Sequence, residues 1–320
     1  MAEAAHHYYP HRRLGIVLGI AAVLCWAGAG AAASWLGKHL GLWPTLTIAC
    51  GIGGVAQLVC YLYMGHSLRA LVMPPPRLWL IISLGFLFYE FAHIGALAGS
   101  ASETQTVGVN LINYLWPTMT VVLACLWVPG TRATKRLIVA AALALAGVAV
   151  GNWKGVLALV SPGGAEPLPM MPYVLVFLAA AAWSVYSALL SRWRSWADKY
   201  STATTGFLAV SLVSAVVATA RGDWRPLTGT EWLVAVPAGL IVYAAGYMLW
   251  ELALHRAPAE KLGLLGAAVP VLSTLCLYAM FAFSPAGMTA DAADLTRQLI
   301  AAGLIAGAVV VSMLPARQSA

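Results

Sequence analysis

Long apolar runs alternate with short polar or Pro/Gly-rich connections along the whole chain. The runs are continuous rather than alternating residue by residue, so they favour membrane-spanning helices over the strands of a barrel. Ten runs are long enough to be spans, and they cover residues 14–37, 44–65, 78–99, 104–127, 135–152, 172–191, 202–219, 231–254, 260–283 and 295–315. No connection is long or polar enough to form a soluble domain. The pattern therefore predicts an all-α integral membrane protein with ten transmembrane helices.

The composition of the 320 residues agrees with this prediction. Hydrophobic residues make up 61% of the chain and charged residues 9%, and the mean hydropathy is +0.83. A soluble protein has about 45–50% apolar and about 25% charged residues, and its core could not bury so much apolar surface. The first run follows two arginines, as a secretory signal would. It is longer than the core of a signal, so we expect it to be retained as a span.

The basic residues predict the orientation. With ten spans, the loops on the side of the two termini carry thirteen Lys and Arg residues, and the opposite loops carry five. Cytoplasmic loops are rich in Lys and Arg, so we expect both termini in the cytoplasm and the lipid bilayer as the main partner. No more than two basic residues are adjacent, so nucleic acid is not an expected partner. The five cysteines lack metal-ligand spacing, and we expect no cofactor or metal.

Several residues recur at matching positions in the two halves of the chain. Trp79 and Pro117 are 38 positions apart, and so are Trp232 and Pro270. The final span of each half also has a glycine pair at a spacing that allows close helix packing, namely Gly147 with Gly151 and Gly303 with Gly307. We predict a first five-helix repeat at 1–153, a periplasmic linker at 154–171 and a second repeat at 172–320. Because five is odd, the second repeat is inverted, which is typical of alternating-access transporters with a site at the bilayer midplane.

One carboxylate lies near the middle of an apolar run. Glu90 in the third span costs on the order of 3 kcal/mol to place there, so it should face a polar cavity or a partner. His93 lies one helical turn away and is a candidate partner. Glu90 is therefore a candidate for binding a substrate ammonium group or for proton coupling, and the alternative is a protonated carboxyl bonded to a neighbouring helix. Glu251, near the end of the eighth span, is expected at a loop edge.

The fourth span combines amides, aromatic rings and a proline. Asn110 and Asn113 need hydrogen-bond partners in lipid. Pro117 frees the carbonyl group of Asn113 and favours a kink there, so Asn113 is either a site residue or a stabiliser of the kink. Trp116 is expected on the same face as Asn113, and Tyr114 on another.

Aromatic residues also occur well inside the spans. Many such rings pack against lipid or other helices, and the alternative is an aromatic-lined cavity that stacks flat ligands or attracts an ammonium group. The candidates are Trp26, Tyr89, Tyr114, Trp116, Trp183, Tyr186, Tyr243 and Tyr247.

Ten spans in two halves, each with a proline in its fourth helix, resemble the drug/metabolite transporter superfamily with EamA-type repeats. The segment from Val107 to Thr118, with its Asn-Tyr-Leu-Trp-Pro core, and the upstream Tyr89-Glu90 are the most specific resemblance. The resemblance implies an exporter of aromatic and other neutral amino acids in the bacterial inner membrane, with a central cavity lined by Trp26, Tyr89, Tyr114, Trp116 and Trp183. Many EamA repeats end their fourth helix with a Glu. In this chain the corresponding residues, 128–130 and 284–286, include no Glu. Any role of that Glu is in doubt here.

Other functions remain as alternatives. Export of aromatic or cationic drugs would use the same aromatic rings and Glu90. Carriage of phosphorylated sugars would favour deep Lys or Arg residues, and only Lys261 lies near a helix start. The chain lacks metalloprotease, nucleophile-elbow and phosphate-loop motifs. Its four Asp residues are expected in loops (Asp198, Asp223, Asp291 and Asp294), so we do not expect an enzyme. Monomer and homodimer both remain open.

Overall fold

The structure is a computed structural model that describes residues 12–127, 135–153, 169–193, 200–254, 256–257, 262, 265–283 and 291–313. Every regular element within these residues is helical. Eight segments are long and apolar enough to cross a membrane: Arg13–Leu40, Leu42–Tyr63, Pro76–Ala98, Glu103–Trp127, Met171–Leu190, Thr202–Arg221, Gly229–Ala253 and Ala292–Ser312. The prediction of an all-helical membrane protein is confirmed.

Several of these segments consist of more than one helix. We label the helices α1 (Arg12–Ala27), α2 (Ala29–Leu40), α3 (Leu42–Tyr63), α4 (Leu68–Val72), α5 (Pro76–Ile82), α6 (Tyr89–Ala98), α7 (Glu103–Asn113), α8 (Trp116–Trp127), α9 (Lys135–Gly151), α10 (Met171–Arg192), α11 (Thr202–Arg221), α12 (Gly229–Pro237), α13 (Tyr247–Leu254), α14 (Val269–Ala282) and α15 (Ala292–Met313). Two π-helical segments, π1 (Ser83–Phe88) and π2 (Ala238–Gly246), join α5 to α6 and α12 to α13.

Two of the ten predicted spans correspond to shorter helices. The run at 135–152 contains α9, of 17 residues, and the run at 260–283 contains α14, of 14 residues. The positions 128–130 and 284–286, which lack the Glu of many EamA repeats, lie outside the described residues, as do Lys261, Asp198 and most of the predicted linker.

The two prolines at matching positions of the halves both follow an interruption of a helix. Helix α7 ends at Asn113 and α8 begins at Trp116, with the amide groups of Tyr114 and Leu115 bonded only three residues back. Pro117 is the second residue of α8, and Pro270 is the second residue of α14. Because proline has no N–H group, it is tolerated in the first turn of a helix and not in its interior. The α-helix is therefore interrupted at Tyr114 and Leu115, next to Asn113 where the kink was expected.

Helices from the first half pack against helices from the second. Extensive contacts join α9 with α15, α3 with α11 and π2, α10 with α6 and α8, and α1 with α13 and α14. In the first pair, a Cβ atom on Gly147 would lie 2.7 Å from Ile305 and 2.8 Å from the Ala301 carbonyl oxygen, so the close approach requires glycine. Within the described part of the chain, the matching Gly303 and Gly307 have no atom within 4 Å of an added Cβ. Close packing through the glycine pair is confirmed in the first half and wrong in the second.

Ion pairs and caps lie at the ends of the helices. Thr228 caps α12 in a capping box with Glu231, whose carboxylate also pairs with Arg225. Asp294 was expected in a loop but lies buried in the first turn of α15, where it pairs with Arg297. That arrangement fits the favourable interaction of a carboxylate with a helix N-terminus.

Candidate functional site

Five aromatic rings surround the Trp183 side chain of α10, at centroid distances of 4.8–6.3 Å. They belong to Phe86 in π1, Tyr89 in α6, Trp116 in α8, Tyr186 in α10 and Tyr247 in α13. Tyr89 and Tyr186 are buried, whereas Trp183 stays half-buried. The rings meet edge-on or tilted, which is the favoured geometry of aromatic pairs.

More rings from both halves of the chain join this set through Tyr247. Tyr247 contacts Trp26 at 5.3 Å and Phe207 at 4.8 Å, and Phe207 contacts Tyr243 at 5.1 Å. Trp26 also lies 5.2 Å from Trp250. We call the connected rings the aromatic cluster: Trp26, Phe86, Tyr89, Trp116, Trp183, Tyr186, Phe207, Tyr243, Tyr247 and Trp250. It joins spans from both halves of the protein.

Glycines on neighbouring helices make room for these rings. A Cβ atom on Gly85 of π1 would lie 2.5 Å from Cδ2 and 2.8 Å from Cβ of Tyr186. A Cβ atom on Gly206 would meet the same two atoms of Phe86 at the same distances. No side chain fits at such distances, so both positions require glycine for the rings to pack as they do.

A strip of polar groups borders the cluster at Tyr89. The Asn113 amide donates a hydrogen bond of 3.1 Å from Nδ2 to the Tyr89 hydroxyl, and His93 stacks on the Tyr89 ring at 5.3 Å. Asn113 Oδ1 and His93 Nε2 are buried and make no hydrogen bond within the described residues. Buried polar groups without a partner are rare in native proteins, so these two atoms are candidates to contact a ligand.

Asn110 forms a bridge between the two broken helices. Its Nδ2 donates a hydrogen bond of 3.0 Å to Ser273 Oγ of α14. Its Oδ1 makes no hydrogen bond in the described structure and packs against Gly30, where an added Cβ would lie 2.5 Å away. Tyr114 is buried in a separate core group with Val269, outside the aromatic cluster. The expectation that Tyr114 points away from Asn113 and Trp116 fits this placement.

Glu90 is buried, with a relative exposure of 2%, and the Tyr243 hydroxyl donates a hydrogen bond of 3.4 Å to its Oε2. This bond, rather than one from His93, is the hydrogen bond that the structure gives to the carboxylate. The backbone carbonyl of Tyr243 in turn accepts a 2.7 Å bond from the side chain of Gln57, which also accepts one from Thr204. Helices α3, α6 and α11 and the π2 segment are thus connected around Glu90.

The structure brings together most of the residues predicted for the site. Trp26, Tyr89, Trp116, Trp183, Tyr186 and Tyr243 are in the aromatic cluster, with Glu90, His93 and Asn113 beside it. Asn110 and Tyr114 belong to the interface with α14. The sequence analysis missed Phe86, Phe207, Trp250, Gln57 and Ser273, and of these only the two polar residues inside apolar runs carried a signal. Glu251 was expected at a loop edge but lies within α13 and accepts a hydrogen bond from Tyr61 of α3.

The chain has clear relatives among known proteins. The family described as the EamA-like transporter family matches residues 13–153 and 170–314. A protein of Ancylobacter novellus named aromatic amino acid exporter YddG is 31% identical over 317 residues, which cover 96% of this chain and 99% of the relative. A protein of the same name from Salmonella typhimurium is 25% identical over 219 residues, covering 66% of this chain and 71% of the relative.

A solved structure is also similar. It is a crystal structure with a TM-score of 0.64 and 28% sequence identity, covering 94% of this chain and 96% of that chain. Together with the eight apolar helices, the matches give a multi-pass membrane protein with a transport role rather than an enzymatic one. The family expected from the Asn-Tyr-Leu-Trp-Pro segment is confirmed. The chain belongs to the EamA-like transporter family.

Proposed function

We propose that the protein exports aromatic and other neutral amino acids across the bacterial inner membrane, by alternating access through a central cavity lined by the aromatic cluster. The half-buried Trp183 carries this proposal. Five rings from several helices surround it, and part of its own ring stays accessible, which supports a ligand space beside the aromatic cluster. The names of the two relatives support amino acids as the substrate class.

The proposed architecture has ten crossings, with α9 and α14 as the fifth and ninth, and both termini in the cytoplasm. The two matches of the family, at 13–153 and 170–314, support two repeats with the boundaries 1–153 and 172–320. The packing supports it too, because many contacts recur with the halves exchanged: α10 packs on α6 as α1 packs on α13, and α10 packs on α8 as α1 packs on α14. Each half also has a π-helical segment in its third span.

The chemistry of the site suits a zwitterion with a flat side chain. The aromatic cluster stacks the side chain, and Asn113, His93, Asn110 and Glu90 provide hydrogen bonds or charge for the ammonium and carboxylate groups. The breaks before Pro117 and Pro270 lie in matching spans, and we assign them the role of hinges at which the helices rock.

The first experiment is efflux of labelled phenylalanine from preloaded proteoliposomes without an ion gradient. Saturable efflux above that from protein-free vesicles is expected. Trp116→Ala should lower the efflux at low substrate concentration by up to about tenfold, since one aromatic contact contributes about 0.5–1.5 kcal/mol. Trp232→Ala, which removes a ring that is 46% exposed, should leave efflux unchanged. Equal efflux from the Trp116 variant and wild type would remove Trp116 from the site.

The second candidate function is export of aromatic or cationic drugs. The buried Glu90 favours it, because a carboxylate beside aromatic rings also suits a lipophilic cation. Competition decides between the two candidates: excess aromatic cation should leave phenylalanine efflux unchanged if amino acids are the substrates. Complete inhibition by the cation, with no saturation by amino acids, would favour drug export.

A further inference from the structure

Glu90 is a buried carboxylate for which the structure provides no basic partner. It is 2% exposed, and among the described residues its carboxylate has one hydrogen-bond partner, the Tyr243 hydroxyl at 3.4 Å, and no ion pair. An uncompensated charge in such a place is unfavourable by several kcal/mol. No basic group among the described residues neutralises this carboxylate, which leaves a proton or a bound cation to do so.

The surroundings of Glu90 supply acids and hydroxyls rather than positive charge. Among the described residues, the ionisable side chains near Glu90 include Cys50 of α3, Tyr89 of its own helix, Tyr243 of π2 and Tyr247 of α13. His93 lies one turn further along α6. None of these is Lys or Arg. Tyr247 is the member of the aromatic cluster that contacts the rings of both Trp26 and Trp183, so the Glu90 carboxylate lies next to the cluster.

Glu90 and Tyr243 occupy matching positions in the two halves. Trp79 and Trp232 are 153 positions apart, as are Pro117 and Pro270, and Glu90 and Tyr243 have the same separation. Glu90 follows π1 and Tyr243 lies within π2. The hydrogen bond between them thus joins corresponding points of the two proposed repeats. In transporters with inverted repeats, this junction is where substrate and coupling ions bind.

We infer that Glu90 exchanges one proton for each amino acid exported, because its carboxylate is neutralised in turn by a proton and by the ammonium group of the substrate. This inference rests on the proposed function. On the cytoplasmic side, the arriving ammonium group displaces the proton from the Glu90 carboxyl group, and the proton leaves to the cytoplasm. On the outer side, the amino acid departs and the carboxylate takes up a proton from that side. Export of the amino acid is thereby coupled to inward movement of the proton.

The test follows protons and phenylalanine in the same proteoliposomes. Vesicles are loaded with labelled phenylalanine and a pH-sensitive dye, and acidification of the lumen is recorded while phenylalanine leaves. Wild type should acidify the lumen in proportion to the efflux. Glu90→Gln should abolish the acidification, and Glu251→Gln, which removes another intramembrane carboxylate outside the cluster, should keep it.

The outcomes separate this inference from the proposed function. Saturable efflux without acidification overturns proton exchange and leaves the exporter intact. Acidification that persists in Glu90→Gln overturns the role of Glu90. Absence of saturable phenylalanine efflux from wild type overturns the proposed function, and the inference fails with it.

A second measurement does not depend on a Glu90 variant. Infrared difference spectra of wild type should lose the carbonyl band of a protonated carboxylic acid when phenylalanine is added, and Tyr243→Phe should shift that band because it removes the donor to Glu90. A spectrum without any change in the carboxylic-acid region contradicts the exchange of proton and ammonium at this position.

Discussion

Gly85→Ala tests the packing that holds the aromatic cluster together. The added methyl group would lie 2.5 Å from Cδ2 and 2.8 Å from Cβ of Tyr186, whereas ordinary contacts are 3.4–4 Å. Because Tyr186 Cβ is attached directly to the α10 backbone, a rotation of the ring cannot relieve the overlap. The two helices must separate by about 1 Å, and overpacking of this kind costs about 1–3 kcal/mol. That corresponds to about a 5- to 150-fold change in an equilibrium constant.

The assay measures thermal stability and phenylalanine affinity of the purified protein in the same detergent. We expect Gly85→Ala to lower the melting temperature and to weaken phenylalanine binding, because Tyr186 and its neighbour Trp183 both move. Gly206→Ala should behave in the same way, since its methyl group would overlap Phe86. The matched control is Gly303→Ala on α15, where no atom lies within 4 Å of the added Cβ.

The control also fixes the sign of the effect. Alanine favours a helix over glycine by about 1 kcal/mol, so Gly303→Ala should be neutral or stabilising. A Gly85→Ala protein with the same gain in melting temperature and with wild-type affinity would show that Tyr186 does not pack against π1. The placement of the aromatic cluster between the two halves would then be wrong.

Two further variants test contacts away from the aromatic cluster. Ser273→Ala removes the acceptor for Asn110 and should destabilise the protein by about 1 kcal/mol, a typical value for a hydrogen bond between membrane helices. A double-mutant cycle with Asn110→Leu checks this contact. Additive losses of stability would mean that the two residues do not interact. Thr228→Ala removes the capping box with Glu231 and should lower the stability by about 1 kcal/mol without changing phenylalanine affinity. A loss of phenylalanine affinity would contradict a purely structural role of this cap.

The apolar runs of the sequence located the spans closely. The run at 202–219 corresponds to the helix Thr202–Arg221, and the run at 78–99 corresponds to the segment Pro76–Ala98. This agreement has a physical reason, since a helix in lipid must bury its own backbone polar groups and must be about 20 residues long. Both constraints act on the local sequence and leave a local signal.

Interruptions of the spans were harder to predict. Pro117 indicated a kink, because the missing N–H group is visible in the sequence. Pro237 directly precedes π2 and is a similar signal, whereas π1 has no proline. Gly85 in π1 faces Tyr186 of α10, just over one hundred positions later in the chain, and Gly53 of α3 similarly faces Tyr243 in π2. A ring that packs closely against a π-helical turn comes from a distant part of the chain. The local sequence therefore cannot indicate this contact.

The site could be predicted in part for the same reason. Polar residues in apolar runs, such as Glu90 and Asn113, are conspicuous because lipid disfavours them. Phe86 and Phe207 are not conspicuous, since phenylalanine is equally suited to face lipid. Their place at the centre of the cluster, 5.1 Å apart, follows from which helices meet. The same applies to Tyr243, whose hydroxyl reaches Glu90 from the other half of the chain.

The separation of 153 positions suggests why the two proposed repeats form an asymmetric site. Positions that match Asn113 and Trp116 in the second half are Gly266 and Val269, and the position that matches Glu90 is Tyr243. The groups suited to an ammonium or carboxylate group therefore come from the first half, while both halves supply aromatic walls. An amino acid has one charged end and one apolar end, so two identical repeats would offer it two equivalent orientations. Divergence of these three positions leaves one orientation in which the charged end meets hydrogen-bonding partners.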